Sequence, residues 1–197
     1  MTVKADGSAE QPILLFEHEQ AWAEWLEEHH ADAAGVWLRL AKKKAEFQSV
    51  SYAEALDAAL CYGWIDSQKK GYDASSWLQR FTPRGPKSIW SRINREKAQA
   101  LMEAGRMKPA GLAAVERAKE DGRWAAAYDS QRNATVPDDL QVELDRNPKA
   151  RAFFSTLDSA NRYAVLFRIQ TAKRPETRAK RIASLVGMLE RNEKIHP

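Results

Sequence analysis

The chain has 197 residues, 44% hydrophobic and 29% charged, the balance of a globular protein, which excludes a disordered or collagen-like chain. Its lone cysteine, Cys61, excludes an internal disulfide and a multi-cysteine zinc site, and fits a reducing compartment. The net charge of +4 hides a segregation: residues 1–32 are acidic apart from Lys4, whereas residues 69–108 are dominated by Lys and Arg.

In chain order, Met1 to Gln11 is small and polar and reads as a loose tail without a signal-peptide pattern. No apolar run approaches the roughly 18 residues needed to cross a bilayer, so a soluble cytoplasmic protein without a membrane partner is expected. Pro12 to Phe16 predicts a short buried strand. Trp22, Trp25, Leu26 and His29 follow at helical spacing, with Gly35 placed to stop the helix. Val36, Leu38 and Leu40 alternate with Trp37, Arg39 and Ala41, which predicts a strand with one face inward. Ser51 and Glu54 form a capping box before the apolar stripe of Leu56, Ala59, Leu60 and Gly63. A hairpin is expected around Gly71-Tyr72-Asp73, with residues 77–82 as its returning strand.

Thr82-Pro83-Arg84-Gly85 has turn chemistry, and Ser88 is expected to cap a helix carrying Ile89, Trp90, Ile93, Leu101 and Met102 and ending near Gly105. Pro109 opens the next helix, closed by Gly122. Asn133 to Val136 reads as a linker, and the remainder reads as helices opening at Pro137, Pro148 and Pro175. The expected fold is α+β: a small, mainly antiparallel sheet packed with helices, followed by an all-helical C-terminal region. The expected division is a tail at 1–11, an α+β domain at 12–132 and a helical region at 133–197.

Two stretches carry a family resemblance. One runs from Ser51-Tyr52-Ala53-Glu54-Ala55-Leu56 through Cys61-Tyr62-Gly63-Trp64-Ile65-Asp66-Ser67-Gln68, Arg80-Phe81-Thr82-Pro83-Arg84 and Pro86-Lys87-Ser88-Ile89-Trp90-Ser91 to Asn94. The other is Ala172-Lys173-Arg174-Pro175-Glu176-Thr177-Arg178 followed by Arg181-Ile182. Together they resemble the YdeI/OmpD-associated family, also called the bacteriocin-protection or OmdA-like family, from Leu14 to about Lys194. Gly85 departs from the larger residue, often a second arginine, expected there in relatives, which lowers the charge of that loop. The resemblance implies a stress or protection role and supplies no catalytic residue and no cofactor. Whether the protein is an enzyme stays open at this point, with a non-enzymatic role favoured.

The candidate ligand-binding residues are Asp66, Gln68, Arg80, Thr82, Arg84, Lys87, Ser88 and Trp90. A helix start at Ser88 would offer free amides and a positive dipole to a small anion, with Arg84 and Lys87 beside it. Alternate strand residues share a face, so Asp66, Gln68, Arg80 and Thr82 would line one pocket wall. Trp64 and Trp90 would supply stacking faces. The competing reading pairs Asp66 with Arg80 and puts the tryptophans in the core.

Cys61 reads as a buried, inert thiol, because the histidines lie far away in sequence and Asp57 stands one turn before it. His29 and His30 are adjacent rather than one helical turn apart, so no metal site is expected. No catalytic constellation is visible. Nucleic acid is the second candidate partner, gripped by the basic stretches 84–108 and 168–181, the latter with Lys173, Arg174, Arg178 and Arg181. A third reading is an interaction protein with no ligand site. Oligomeric state is not legible.

Overall fold

The structure is a computed structural model, and it describes residues 11–172 and 174–197. The expected tail therefore lies almost wholly outside the described residues, as does Lys173. The chain forms two compact units. One contains residues up to Ser88 together with Glu96–Asp121, and the other contains Ile89–Arg95 and Gly122–Pro197.

The first unit is built on a four-stranded sheet in the order β1-β2-β4-β3, with β1 (Ile13–Leu14), β2 (Val36–Ala41), β3 (Trp64–Gly71) and β4 (Ser76–Pro83). β1 runs parallel to β2; the other two pairings are antiparallel. β2 alternates as its sequence predicts: Val36, Leu38 and Leu40 are buried, whereas Trp37, Arg39 and Ala41 are half-buried. The segment expected as a buried strand is instead a two-residue edge strand, with Ile13 and Leu15 exposed. Its hydrophobic run suggested depth, but an edge strand has only one neighbour to cover it.

Helices α1 (Glu19–His29) and α2 (Tyr52–Cys61) supply the side chains that cover one sheet face. Trp22 is wholly buried and meets Phe16, Trp25, Trp64 and Phe81, with ring centroids 5.3–6.3 Å apart. The buried indoles keep their polar ends satisfied: Trp22 Nε1 donates to the Ala55 carbonyl at 3.0 Å and Trp64 Nε1 to the His30 carbonyl at 3.1 Å. Both halves of the capping box at Ser51 and Glu54 are formed, so α2 begins where the sequence predicts.

Gly35 does not stop α1, which ends at His29 with the His30 N–H bonded to the Leu26 carbonyl. Gly35 is needed where β2 meets β4: its φ is +142°, and a Cβ would lie 2.8 Å from Thr82 Cγ2 and 2.9 Å from the Phe81 carbonyl.

Helix α3 (Arg92–Glu103) starts later than expected. Ser91, not Ser88, accepts from the N–H three residues on, at Asn94, while the Ser88 N–H closes a turn onto the Gly85 carbonyl at 3.0 Å. Ser88 precedes Ile89-Trp90 and Ser91 precedes Arg92-Ile93, and the turn at Pro86-Lys87 consumes the first serine. α4 (Pro109–Glu120) approaches α2 through Gly111, where a Cβ would sit 2.2 Å from the Cys61 carbonyl oxygen.

In the second unit, α5 (Asp138–Arg146), α6 (Pro148–Thr156), α7 (Ser159–Gln170) and α8 (Pro175–Glu190) enclose a core of Leu140, Leu144, Phe154, Val165, Leu166, Ile169, Ile182 and Leu185, among others. Ala134 and Val136, in the stretch expected as a linker, pack against this core. The α+β class, with a sheet and helices followed by C-terminal helices, is what the chain adopts. No helix among the described residues is long and apolar enough to cross a membrane.

Candidate functional site

Register decides which candidate side chains meet. In antiparallel pairs, residues opposite each other point to the same side. Asp66 lies opposite Phe81, while Arg80 lies opposite Trp37 and Thr82 opposite Ile65. Asp66 therefore points to the helix-covered side, where Tyr52 Oη donates to its carboxylate at 2.8 Å. That bond and burial push the Tyr52 phenol far above its ordinary range, burial contributing most.

Arg80 and Thr82 point to the other, outer face, so this half of the expected wall is formed and the Asp66 half is not. Arg80 Nε donates to Gln11 Oε1 at 2.7 Å, so it does not pair with Asp66. Gln68 falls in a bulge between Asp66 and Lys69, where β3 has one residue more than β4; its carbonyl accepts from Gln79 Nε2 at 3.1 Å.

The remaining candidates scatter. Arg84 is half-buried and its backbone N–H binds the Gly63 carbonyl at 2.9 Å. Lys87 is exposed in the turn before Ser88, which lies four residues ahead of the α3 start at Arg92. Trp90 is a core residue of the second unit, 2% exposed and edge-on to Trp124 at 4.9 Å. Trp64 is likewise buried, and neither ring offers a stacking face.

The outer sheet face gathers residues that the sequence reading had not joined. Lys70 and Arg39 both lie opposite Leu78, and Trp37 lies opposite Arg80, so all of these share one side. Lys70 Nζ stands 4.3 Å over the Trp37 ring. The Arg39 guanidinium stands 4.6 Å from the Phe47 ring centroid and 5.3 Å from that of Tyr72, while its Nη2 binds Asp73 at 2.8 Å. Hydrogen bonds from Ser76 and Ser75 hold the Asp73 carboxyl well below the usual carboxylate range, so it stays ionised beside Arg39. At the hairpin end a groove of about 400 Å³ runs between Lys42, Lys44, Glu46, Phe47, Ala74 and Ser75. The signal available in sequence was the polar half of the β2 alternation, Trp37 and Arg39; Lys70 joins them only through strand register.

A larger cavity of about 780 Å³ lies between α1, α2 and the start of α4, with Glu19, Glu24, Glu27, Tyr62, Arg106 and Lys108 in its wall. Its cations are paired already: Arg106 with Glu19, and Lys108 with Glu27 at 3.4 Å. Lys97 likewise binds Asp57 at 2.6 Å. The acidic and basic segments of the first unit thus answer each other. Burial raises the pKa of Cys61, which also borders this cavity, and so disfavours its thiolate form.

In the second unit the basic cluster is put to structural use. Arg178 holds Asp139 through two bonds of 2.6 and 2.9 Å, and its Nη1 donates to the Ile169 carbonyl at 3.0 Å. Arg181 donates to the Arg168 carbonyl and to Thr171 Oγ1. The two arginines bind carbonyls in the last turn of α7. They are therefore committed within the unit, which removes them from the phosphate-gripping edge expected at 168–181.

Together these features define an α+β protein whose first unit presents a basic, aromatic sheet face and whose second is a four-helix core closed by arginines. The chain belongs to the family described as a domain of unknown function (DUF8412), whose model matches residues 14–114. Residues 133–192 match the family described as bacteriocin-protection, YdeI or OmpD-associated, in agreement with the resemblance carried by the Ala172–Ile182 stretch. The earlier stretch, Ser51 to Asn94, falls within the first match. No curated protein and no solved structure matches the chain.

Proposed function

We propose that this bacteriocin-protection-type protein works by binding a small anionic ligand on the outer face of its sheet rather than by catalysing a reaction. The observation that carries this reading is the strand register that sets Arg80, Thr82, Arg39 and Lys70 on one side with Trp37 among them. Among the described residues Arg80 is held by an uncharged amide and Lys70 by a ring face, so each can exchange its present contact for an anion with little loss. The site drawn from sequence is thereby narrowed. Arg80 and Thr82 stay in it, while Asp66, Gln68, Arg84, Lys87, Ser88 and Trp90 are left out on geometric grounds.

Isothermal titration with a nucleoside 5′-monophosphate at low salt tests the reading. Saturable binding is expected, weakened about tenfold in Arg80→Gln, as the loss of one charge-assisted hydrogen bond of roughly 1.5 kcal/mol requires. No heat from the monophosphate or from inorganic pyrophosphate would sink the proposal and leave the interaction-protein reading in its place.

A further inference from the structure

We infer that the anion taken by this face is the backbone of an extended single-stranded nucleic acid, whose bases stack on the rings of Trp37, Phe47 and Tyr72. The inference rests on the anion-binding reading above and adds a ligand class to it.

Charge complementarity is the first argument. The outer face and the loops at its hairpin end carry Arg39, Arg80, Lys70, Lys42, Lys43 and Lys44, against Asp73 and Glu46. Asp73 is already occupied by Arg39 and by the serines of its turn. Lys42 Nζ is held only by the backbone carbonyls of Asp73 and Ala74. The surplus is positive.

Interleaving is the second. Single-strand binders combine a cationic track with aromatic faces on which bases stack. Here a line drawn back along β2 meets the Lys42–Phe47 groove, then Arg39 with Phe47 and Tyr72, then Trp37 with Lys70 over its ring and Arg80 opposite it on β4. Tyr72 is exposed, and Trp37 and Phe47 are half-buried, so their rings are within reach of solvent. On binding, the Lys70 ammonium would turn from the Trp37 ring to a phosphate and leave that ring to a base, while Arg39 keeps its bond to Asp73.

Fluorescence anisotropy with labelled oligouridylate of increasing length, a duplex RNA of matched length, and unlabelled uridine monophosphate as competitor decides the matter. The expected result is affinity that rises with length to a plateau and prefers the single strand. It should fall with salt at a log–log slope near −2, about −0.7 for each of three phosphate contacts. Lys70→Gln should flatten that slope by about 0.7. Tyr72→Leu should cost about tenfold while leaving the slope alone; circular dichroism of each variant confirms the fold. Oligomers binding no tighter than the monophosphate, or duplex binding as well as single strand, would overturn this inference and leave the anion site standing. Binding by neither oligomer nor monophosphate would remove both.

Discussion

At the scale of single residues, the tightest constraints in the first unit fall on backbone that must come close to backbone. Gly111 sets a helix surface against the end of α2, and any Cβ there would overlap the Cys61 carbonyl. Gly63 is held at φ +73° a few residues along, with the Ala110 carbonyl 2.9 Å from where its Cβ would stand. Because the obstacle at both places is rigid main chain, no rotamer change can make room. Gly111→Ala is therefore expected to destabilise the fold by about 1–3 kcal/mol or more. Chemical denaturation would measure it, as a lower midpoint at unchanged slope. Cys61 belongs to the same contact. Its burial explains why a lone cysteine needs no chemistry to be there, and alkylation by an exposed-thiol reagent should be slow until the unit unfolds.

Among the elements, helix ends show how local signals compete. Two serines precede the α3 sequence, and either has the side chain to cap it; the turn at Pro86-Lys87 takes Ser88, so Ser91 receives the Asn94 N–H. Ser91→Ala should cost about 1 kcal/mol of stability, read by thermal or urea unfolding; no change would mean that the helix starts elsewhere.

The pairing of Asp139 on α5 with Arg178 on α8 carries a pH signature. Hydrogen bonding to Arg178 lowers the Asp139 pKa below its ordinary value. The stability this provides is present above the unfolded carboxyl's pKa of about 3.9 and is lost as pH falls through the lower folded value. Asp139→Asn should thus weaken the protein by about 0.2–1 kcal/mol at pH 7, as a half-exposed pair allows. The gap between variant and parent should close as the pH falls through the lowered folded value. A gap that persists in acid would show that packing, not charge, links the two helices.

For the whole molecule, charge segregation proves to be two things at once. Part of the basic 69–108 segment answers the acidic α1 and α2 through Arg106–Glu19, Lys108–Glu27 and Lys97–Asp57. Another part, with Lys70 and Arg80, faces outward from the sheet. Much of the architecture was legible in advance because it rests on local rules. The alternation at Val36–Ala41, the box at Ser51 and Glu54, the hairpin at Gly71-Tyr72-Asp73, and prolines at the starts of α6 and α8 each act within a few residues. Of the candidate site, the sequence identified Arg80 and Thr82 as neighbours on one face. It could not place Asp66 with or against them, because a strand's facing is fixed by its register with another strand, and one extra residue in the bulge at Ser67-Gln68 reverses the sense of everything beyond it. Spacing along one chain therefore determined which elements form. Which side chains meet across them was decided by tertiary pairing alone, since contacts between residues distant in sequence leave no mark in the periodicity of either segment.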